Sequence, residues 1–259
     1  MEILGYAATV LMGILLGLIG GGGSILTIPI LVYLFGMDAV QATTYSLFVV
    51  GITSVAGSYS HFRRGNIHLP TALVFGPPSI AAVLAVRAWL LPLIPDPVFV
   101  SSGFTLSKSG LIMGIFSLLM AGASVSMIRK PRRFVNRGNT RHNYPLIFAE
   151  GLLVGAVTGL VGAGGGFLII PALVVLAGLP MKEAIGTSLL IISVKSLAGF
   201  LGDMGIGMPV DVMMLTMLST LSIGGILLGS FLSRFISNEN LRPAFGWLVL
   251  GLGLLMMFL

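Results

Sequence analysis

The chain has 259 residues, 56% hydrophobic and 8% charged, with a net charge of +6, no cysteine and a mean hydropathy of +1.07. A soluble domain carries roughly 25% charged residues, so the composition excludes a soluble enzyme or binding module and predicts an all-α polytopic membrane protein. Without cysteine there are no disulfides or thiolate ligands, and three scattered histidines, His61, His68 and His142, predict neither a metal centre nor a cofactor site.

Apolar runs fall near 3–20, 40–60, 70–92, 107–128, 184–202, 209–231 and 243–259. Each is about as long as a bilayer-spanning helix, roughly 17–25 residues. The first run opens MEILGYAATV, without a basic n-region or cleavage pattern, and reads as a retained segment rather than a signal peptide. Two stretches resist the simple count: GLIGGGGSILTIP from Gly17 to Pro29 and GLVGAGGGFLIIP from Gly159 to Pro171.

Those stretches are 142 residues apart, and the same offset pairs Gly13 with Gly155, Gly20 with Gly162, Gly22 with Gly164, Gly36 with Gly178, Ala42 with Ala184, Ser46 with Ser188 and Ser54 with Ser196. So many small residues and a proline in one register indicate a duplicated unit. The expected organisation is a first transmembrane repeat over 1–128, a basic cytoplasmic linker over 129–145 and a second repeat over 146–259.

Charge places the loops. HFRRGNIH (His61–His68) and RKPRRFVNRGNTRH (Arg129–His142) are basic and read as cytoplasmic, the second in reach of anionic lipid head groups. That concentration accounts for much of the net charge, so no nucleic-acid partner is expected. In the second half DMGIGMPVD (Asp203–Asp211) has two acids and no base, whereas SRFISNENLR carries Arg234 and Arg242. The swap predicts inverted topology, with 203–211 outside and 232–242 inside. A parallel duplication with eight plain spans is the competing arrangement.

Glycine is a poor helix former, and irregular backbone at membrane depth is tolerated only where it is buried in protein or lines a cavity. The clusters therefore predict a broken or re-entrant helix in each repeat near the bilayer midplane. The segments that follow, Ser24–Phe35 and Phe167–Ala177, are too short to span. Their N-termini would aim backbone donors and a positive dipole end at an anion. Gly21, Gly22, Gly23, Ser24, Gly164, Gly165 and Gly166 are thus candidate substrate contacts, while the flanking Gly13 and Gly17 have the spacing for helix packing. Thr43, Thr44, Ser46, Thr187 and Ser188 occupy the repeat-related ATTYS and GTS positions, where hydroxyls either donate to an anion or bond their own helix carbonyls. Lys195, within the 184–202 run, is the intramembrane cation expected to attract the anion; the competing reading pairs it structurally with Asp203. Glu150 and Asp203 are candidate coupling carboxylates, Glu150 being otherwise an interfacial acid that balances the nearby arginines. Arg87 is expected to snorkel from the outer end of 70–92, the alternative being that it lines an exit path.

The two glycine–proline stretches and the ATTYS and AIGTS segments resemble the TauE/SafE family of sulfite-exporter-like membrane proteins, over nearly the whole chain. The resemblance implies secondary transport of sulfite, sulfoacetate or related organosulfonates, usually outward, across the cytoplasmic (inner) membrane. Expected partners are the small anion, membrane lipid and a coupling proton or cation, with an oligomer possible. An anion channel and a carrier of a different small anion are the alternatives. An intramembrane enzyme fits poorly, because Ser24 has Gly166 as its repeat partner and the histidines lie outside the apolar runs.

Overall fold

Helix α1 (Glu2–Ile19) carries the first apolar run and stops at Gly20, whose φ of +76° is a left-handed conformation that suits glycine alone. There the chain reverses. A 3-10 turn leads into α2 (Gly23–Leu34), which returns alongside α1, so that Phe35 meets Tyr6 edge to face with ring centroids 5.2 Å apart. Residues 2–35 thus form a helical hairpin with both ends at one face of the molecule. The computed structural model describes residues 2–101, 104–128, 144–162, 164–175, 177–205, 207–208, 210–233, 246–247 and 249–254. The basic segment 129–142 and most of 232–242 lie outside the described residues.

Helix α3 (Ala39–Phe62) starts beside Phe35 and is capped by Asp38, whose carboxylate accepts from Val40 N at 2.9 Å. It runs the full height of the molecule, and α4 (Leu69–Leu93) runs back from a start capped by His68 Nδ1, which accepts from Thr71 N. Pro92, which has no N–H, follows a π turn over Val86–Leu90 that widens the last part of α4. A short hairpin of β1 (Phe99–Ser101) and β2 (Phe104–Leu106) leads to α5 (Lys108–Ile128).

The second half repeats the plan. Helix α6 (Tyr144–Val161) ends at Gly162, φ +74°, and α7 (Gly166–Val175) turns back. Helices α8 (Met181–Gly205) and α9 (Val212–Leu232) follow, α9 capped by the Asp211 carboxylate on Met213 N and Met214 N. The 142-residue offset holds for backbone bonds as well. Met37 N donates to Leu31 O and Leu179 N to Leu173 O, each at 3.1 Å. Gly65 N donates to Phe62 O and Gly207 N to Met204 O, each at 3.0 Å.

Among the described residues six helices, α3, α4, α5, α6, α8 and α9, are long and apolar enough to cross a membrane, so the chain is an all-α polytopic membrane protein. Among them α3 and α8 are the most enclosed, with 67% and 72% of their apolar windows buried, and they pack along each other as the central pair. Around them α1 packs on α9 and α4 on α6. Both outer contacts are close backbone crossings: Gly13 and Gly17 of α1 face the α9 backbone at Ser222 and Ile226, and Gly151 and Gly155 of α6 face the α4 backbone at Phe75 and Ser79. Small residues allow that approach without side chains between the helices.

Candidate functional site

Each hairpin penetrates past the middle of the central pair. Gly20 packs on Ile185, one turn from the start of α8, and Gly162 packs on Thr43, one turn from the start of α3. The tips touch backbone to backbone: a methyl group on Gly21 would collide with the Gly166 Cα, and one on Gly166 would collide with the Gly21 Cα. Gly23 lies equally close to the backbone of Leu16 on its own hairpin. Gly164 lies near the centre of the pair, where a side chain would meet Val50 of α3 at 2.7 Å and Ile192 of α8 at 3.4 Å. Gly22 sits between Gly21 and Gly23 in the 3-10 turn of the first tip. The two clusters therefore form one layer in the interior, not two independent turns.

Lys195 stands at the second tip. It is 1% exposed, its Nζ donates to Thr158 Oγ1 at 3.1 Å, and a methyl group on Gly165 would lie 2.9 Å from that Nζ. Thr158 is its one side-chain partner among the described residues. Ser196, the next residue on α8, has a buried hydroxyl with no partner among the described residues, as does its repeat mate Ser54. Burying an ammonium against a single neutral hydroxyl is costly, and the Lys195 and Thr158 side chains pack directly on Gly165, where a Cβ would fall 1.9 Å from Thr158 Cγ2.

Other candidate hydroxyls divide. Ser24, Thr43 and Ser188 donate to the helix carbonyls of Gly21, Val40 and Ile185 at 2.7–2.8 Å, the local alternative to anion binding. Ser46 is buried with no partner among the described residues. Thr187 anchors a loop, its Oγ1 accepting from His68 N at 2.9 Å. At the mirrored place in the other half, Tyr45 Oη accepts from Asp211 N. Thr44 joins a charged cluster.

That cluster corrects the reading of Arg87. Far from snorkelling, it is 1% exposed. Its Nε donates to Gly159 O at 2.8 Å, and its Nη1 forms a buried ion pair with Asp203 Oδ2. The cause is the broken helix: the last carbonyls of α6 lack intrahelical donors, and with Asp203 they offer the guanidinium more than an apolar boundary would. Thr44 Oγ1 donates to Asp203 Oδ2 at 2.6 Å and accepts from Arg87 Nη1 at 3.3 Å. Asp203 is therefore committed to Arg87, and the structural pairing of Lys195 with Asp203 does not form. Glu150 is half-buried on α6 and makes no salt bridge among the described residues.

This pair was not legible in the sequence, where Arg87 is expected to snorkel and Asp203 to lie in the outside loop 203–211; Asp203 is instead buried within α8. The cost of an arginine inside the 70–92 run was the one signal that could have called for a partner. Thr158 carried no such signal; its repeat mate is Leu16. The cluster joins the two halves and has no counterpart at the offset-related positions, because the residues 142 away from Arg87, Asp203 and Lys195 are Gly229, His61 and Thr53. Among the described residues no group of three or more His, Asp or Glu could hold a metal.

Two cavities approach the central layer from opposite ends of α3. One, of about 370 Å³, is lined by Gly17, His61, Arg64, Asn66 and Lys182 among others. The second, of about 290 Å³, is lined by Asp38, Val40, Gln41, Thr44 and Met208. Positions 40 and 182, and 66 and 208, correspond under the 142-residue offset, so the cavities occupy equivalent places in the two halves.

Residues 5–256 match the family described as Sulfite exporter TauE/SafE. A probable membrane transporter protein of Xylella fastidiosa strain 9a5c is 31% identical over 94% of this chain and 90% of that protein. One from strain Temecula1 is 32% identical over 70% of this chain and 65% of its own length. The probable membrane transporter protein YdhB of Bacillus subtilis is 28% identical over 96% of this chain and 97% of that protein. No solved structure matches. With a family match that covers all but the ends of the chain and the glycine hairpins in place, the protein belongs to the TauE/SafE family.

Proposed function

We propose that this chain is a secondary transporter that exports small sulfur-containing anions, such as sulfite or organosulfonates, across the cytoplasmic membrane by alternating access around the two hairpin tips. The family and its relatives, named as probable membrane transporters, support the transporter class. The observation that carries the anion is Lys195, a buried ammonium beside the side-chain-free Gly165 with one neutral hydroxyl as its partner among the described residues. An anion there would supply the missing charge in a low-dielectric interior, where attraction is much stronger than in water. Ser24 donates to Gly21 O, which leaves no activated nucleophile at the first tip.

The paired cavities support alternating access, one for each face of the membrane. Loops 62–68 and 180–182 and the end of α9 gather at the end bearing Arg64 and Lys182, which the positive-inside rule assigns to the cytoplasm. Residues 36–38, 107–109 and 208–211 gather at the other end, where Ser109 Oγ donates to Asp38 Oδ1. The repeats are then inverted, the first making a hairpin and three crossings (α3, α4, α5) and the second a hairpin and, among the described residues, the crossings α8 and α9. Outward movement of a monoanion is favoured by an inside-negative potential, by about 2.3 kcal/mol per 100 mV.

A reporter fused after Met208 is expected outside, and reporters fused after Arg64 or within 232–242 in the cytoplasm. The opposite pattern at Met208 would rule out inverted repeats. For transport itself, flux of labelled sulfite into proteoliposomes is expected to saturate and to show counterflow. Linear, non-saturating flux identifies a channel instead, and no sulfite flux removes this substrate class.

A further inference from the structure

Transport of small anions, on which this inference rests, does not by itself explain a buried ion pair that joins Arg87 of the first half to Asp203 of the second and has no counterpart at the offset-related positions. Arg87 has more donor capacity than its surroundings use. Nε is taken by Gly159 O and Nη1 by Asp203 and Thr44, but Nη2 is buried with no partner among the described residues. Thr44 is the deepest polar contact of the cavity that also carries Asp38, Gln41 and Met208, and its hydroxyl is the direct link to Asp203. Arg87 and Asp203 do not line that cavity; they lie one side chain beneath its floor.

We propose that Arg87 is a second anion-binding residue of the translocation path and that Asp203 is its internal stand-in, holding the guanidinium while no substrate anion is present. Chemical matching supports this. A carboxylate oxygen and a sulfite or sulfonate oxygen make the same charge-assisted bond to a guanidinium, whose fork also accommodates a second oxygen. The unpartnered Nη2 supplies that second donor, and the Thr44 hydroxyl can turn from Asp203 to the incoming anion without leaving the cluster. The repeat comparison points the same way. At the other hairpin the equivalent positions are Gly229 and His61, and there the larger cavity reaches in as far as Gly17 and Leu18. An ion pair thus stands beneath the cavity at Thr44, and none stands at the other cavity among the described residues.

A stand-in competes with substrate, and its removal therefore has a sign that a purely structural ion pair does not share. The apparent dissociation constant is the intrinsic one divided by the fraction of molecules whose Arg87 is free. In Asp203→Asn the competing charge is gone, and half-saturation is expected at a sulfite concentration lower by about tenfold or more. The measurement is the unfolding midpoint of the purified protein against sodium sulfite, with sodium chloride at matched ionic strength as the reference. Arg87→Gln/Asp203→Asn removes both charges, avoids an uncompensated cation, and is expected to raise half-saturation about tenfold or more above the parent. Should Asp203→Asn fold only with sulfite present, that rescue supports the stand-in role as well. Should it fail to fold under any condition, the double variant decides. A parent that binds sulfite while Asp203→Asn shows unchanged or weaker affinity, or while the double variant keeps parental affinity, overturns the inference and leaves the transporter reading standing. A parent with no saturable sulfite response overturns both.

Discussion

Gly166→Leu is expected to eliminate transport and to leave little folded protein, because its side chain would have to enter the backbone of the other hairpin. A Cβ at position 166 falls within 2.6 Å of the Gly21 carbonyl carbon, and Gly21 has no side chain to move aside. Overpacking a core commonly costs about 1–3 kcal/mol when neighbouring side chains can shift; with backbone on both sides the cost belongs at or beyond the upper end. The measurements are monodispersity on size exclusion and the unfolding midpoint, followed by sulfite flux for any folded fraction. Gly114→Leu on α5 is the matched control, since nothing lies within 4 Å of its Cβ position, and it should behave as the parent. Normal midpoint and flux from Gly166→Leu would show that the two tips do not meet.

Lys195→Met keeps the side-chain volume, removes the charge and is expected to raise the dissociation constant for sulfite by about tenfold or more. That figure follows from roughly 1.5–3 kcal/mol for a hydrogen bond to a charged group. Because Asp203 is held by Arg87 and Thr44, the lysine has no buried carboxylate to strand when it is removed. The variant should therefore fold at least as well as the parent, since a buried ammonium whose one side-chain partner among the described residues is the Thr158 hydroxyl is a net cost to stability. Reduced sulfite affinity with an unchanged or raised unfolding midpoint is the expected pair of results. Parental affinity in Lys195→Met would remove this residue from the site.

Much of the architecture was legible because its causes are local. Bilayer thickness sets the lengths of the apolar runs, positive φ selects glycine at the reversals, and the 142-residue offset pairs the two glycine clusters, so a break was expected in each cluster and is found at Gly20 and Gly162. Lys195 was legible because a cation in an apolar run has no inexpensive explanation. What escaped were relations between distant segments. Arg87 is six residues from the end of its helix, where snorkelling is the economical reading, and nothing near it in sequence reveals that the last turn of α6 and Asp203 converge on it. Hydroxyls were poorly resolved for a related reason. A threonine that bonds its own helix and one that completes a charged cluster are neighbours at positions 43 and 44, and only the opposing helices distinguish them. The loops of each repeat gave no sign that they are tied to the other repeat through Tyr45 and Thr187.

Those ties, with the crossings of α1 on α9 and α4 on α6, bear on biosynthesis. A chain made from its N-terminus inserts α1 long before its glycine face has anything to meet, since the matching backbone of α9 lies about 200 residues downstream. During that interval Gly13 and Gly17 lack the α9 backbone on which they pack in the folded protein, and the first hairpin lacks the opposing tip. The first half cannot settle and then serve as a template for the second; the two must close on each other after α9 has left the ribosome. A ribosome stalled before residue 212 should thus hold a nascent chain that is inserted, protease-sensitive and dependent on membrane chaperones, and a gene split between the repeats should function only when both fragments are made in the same cell.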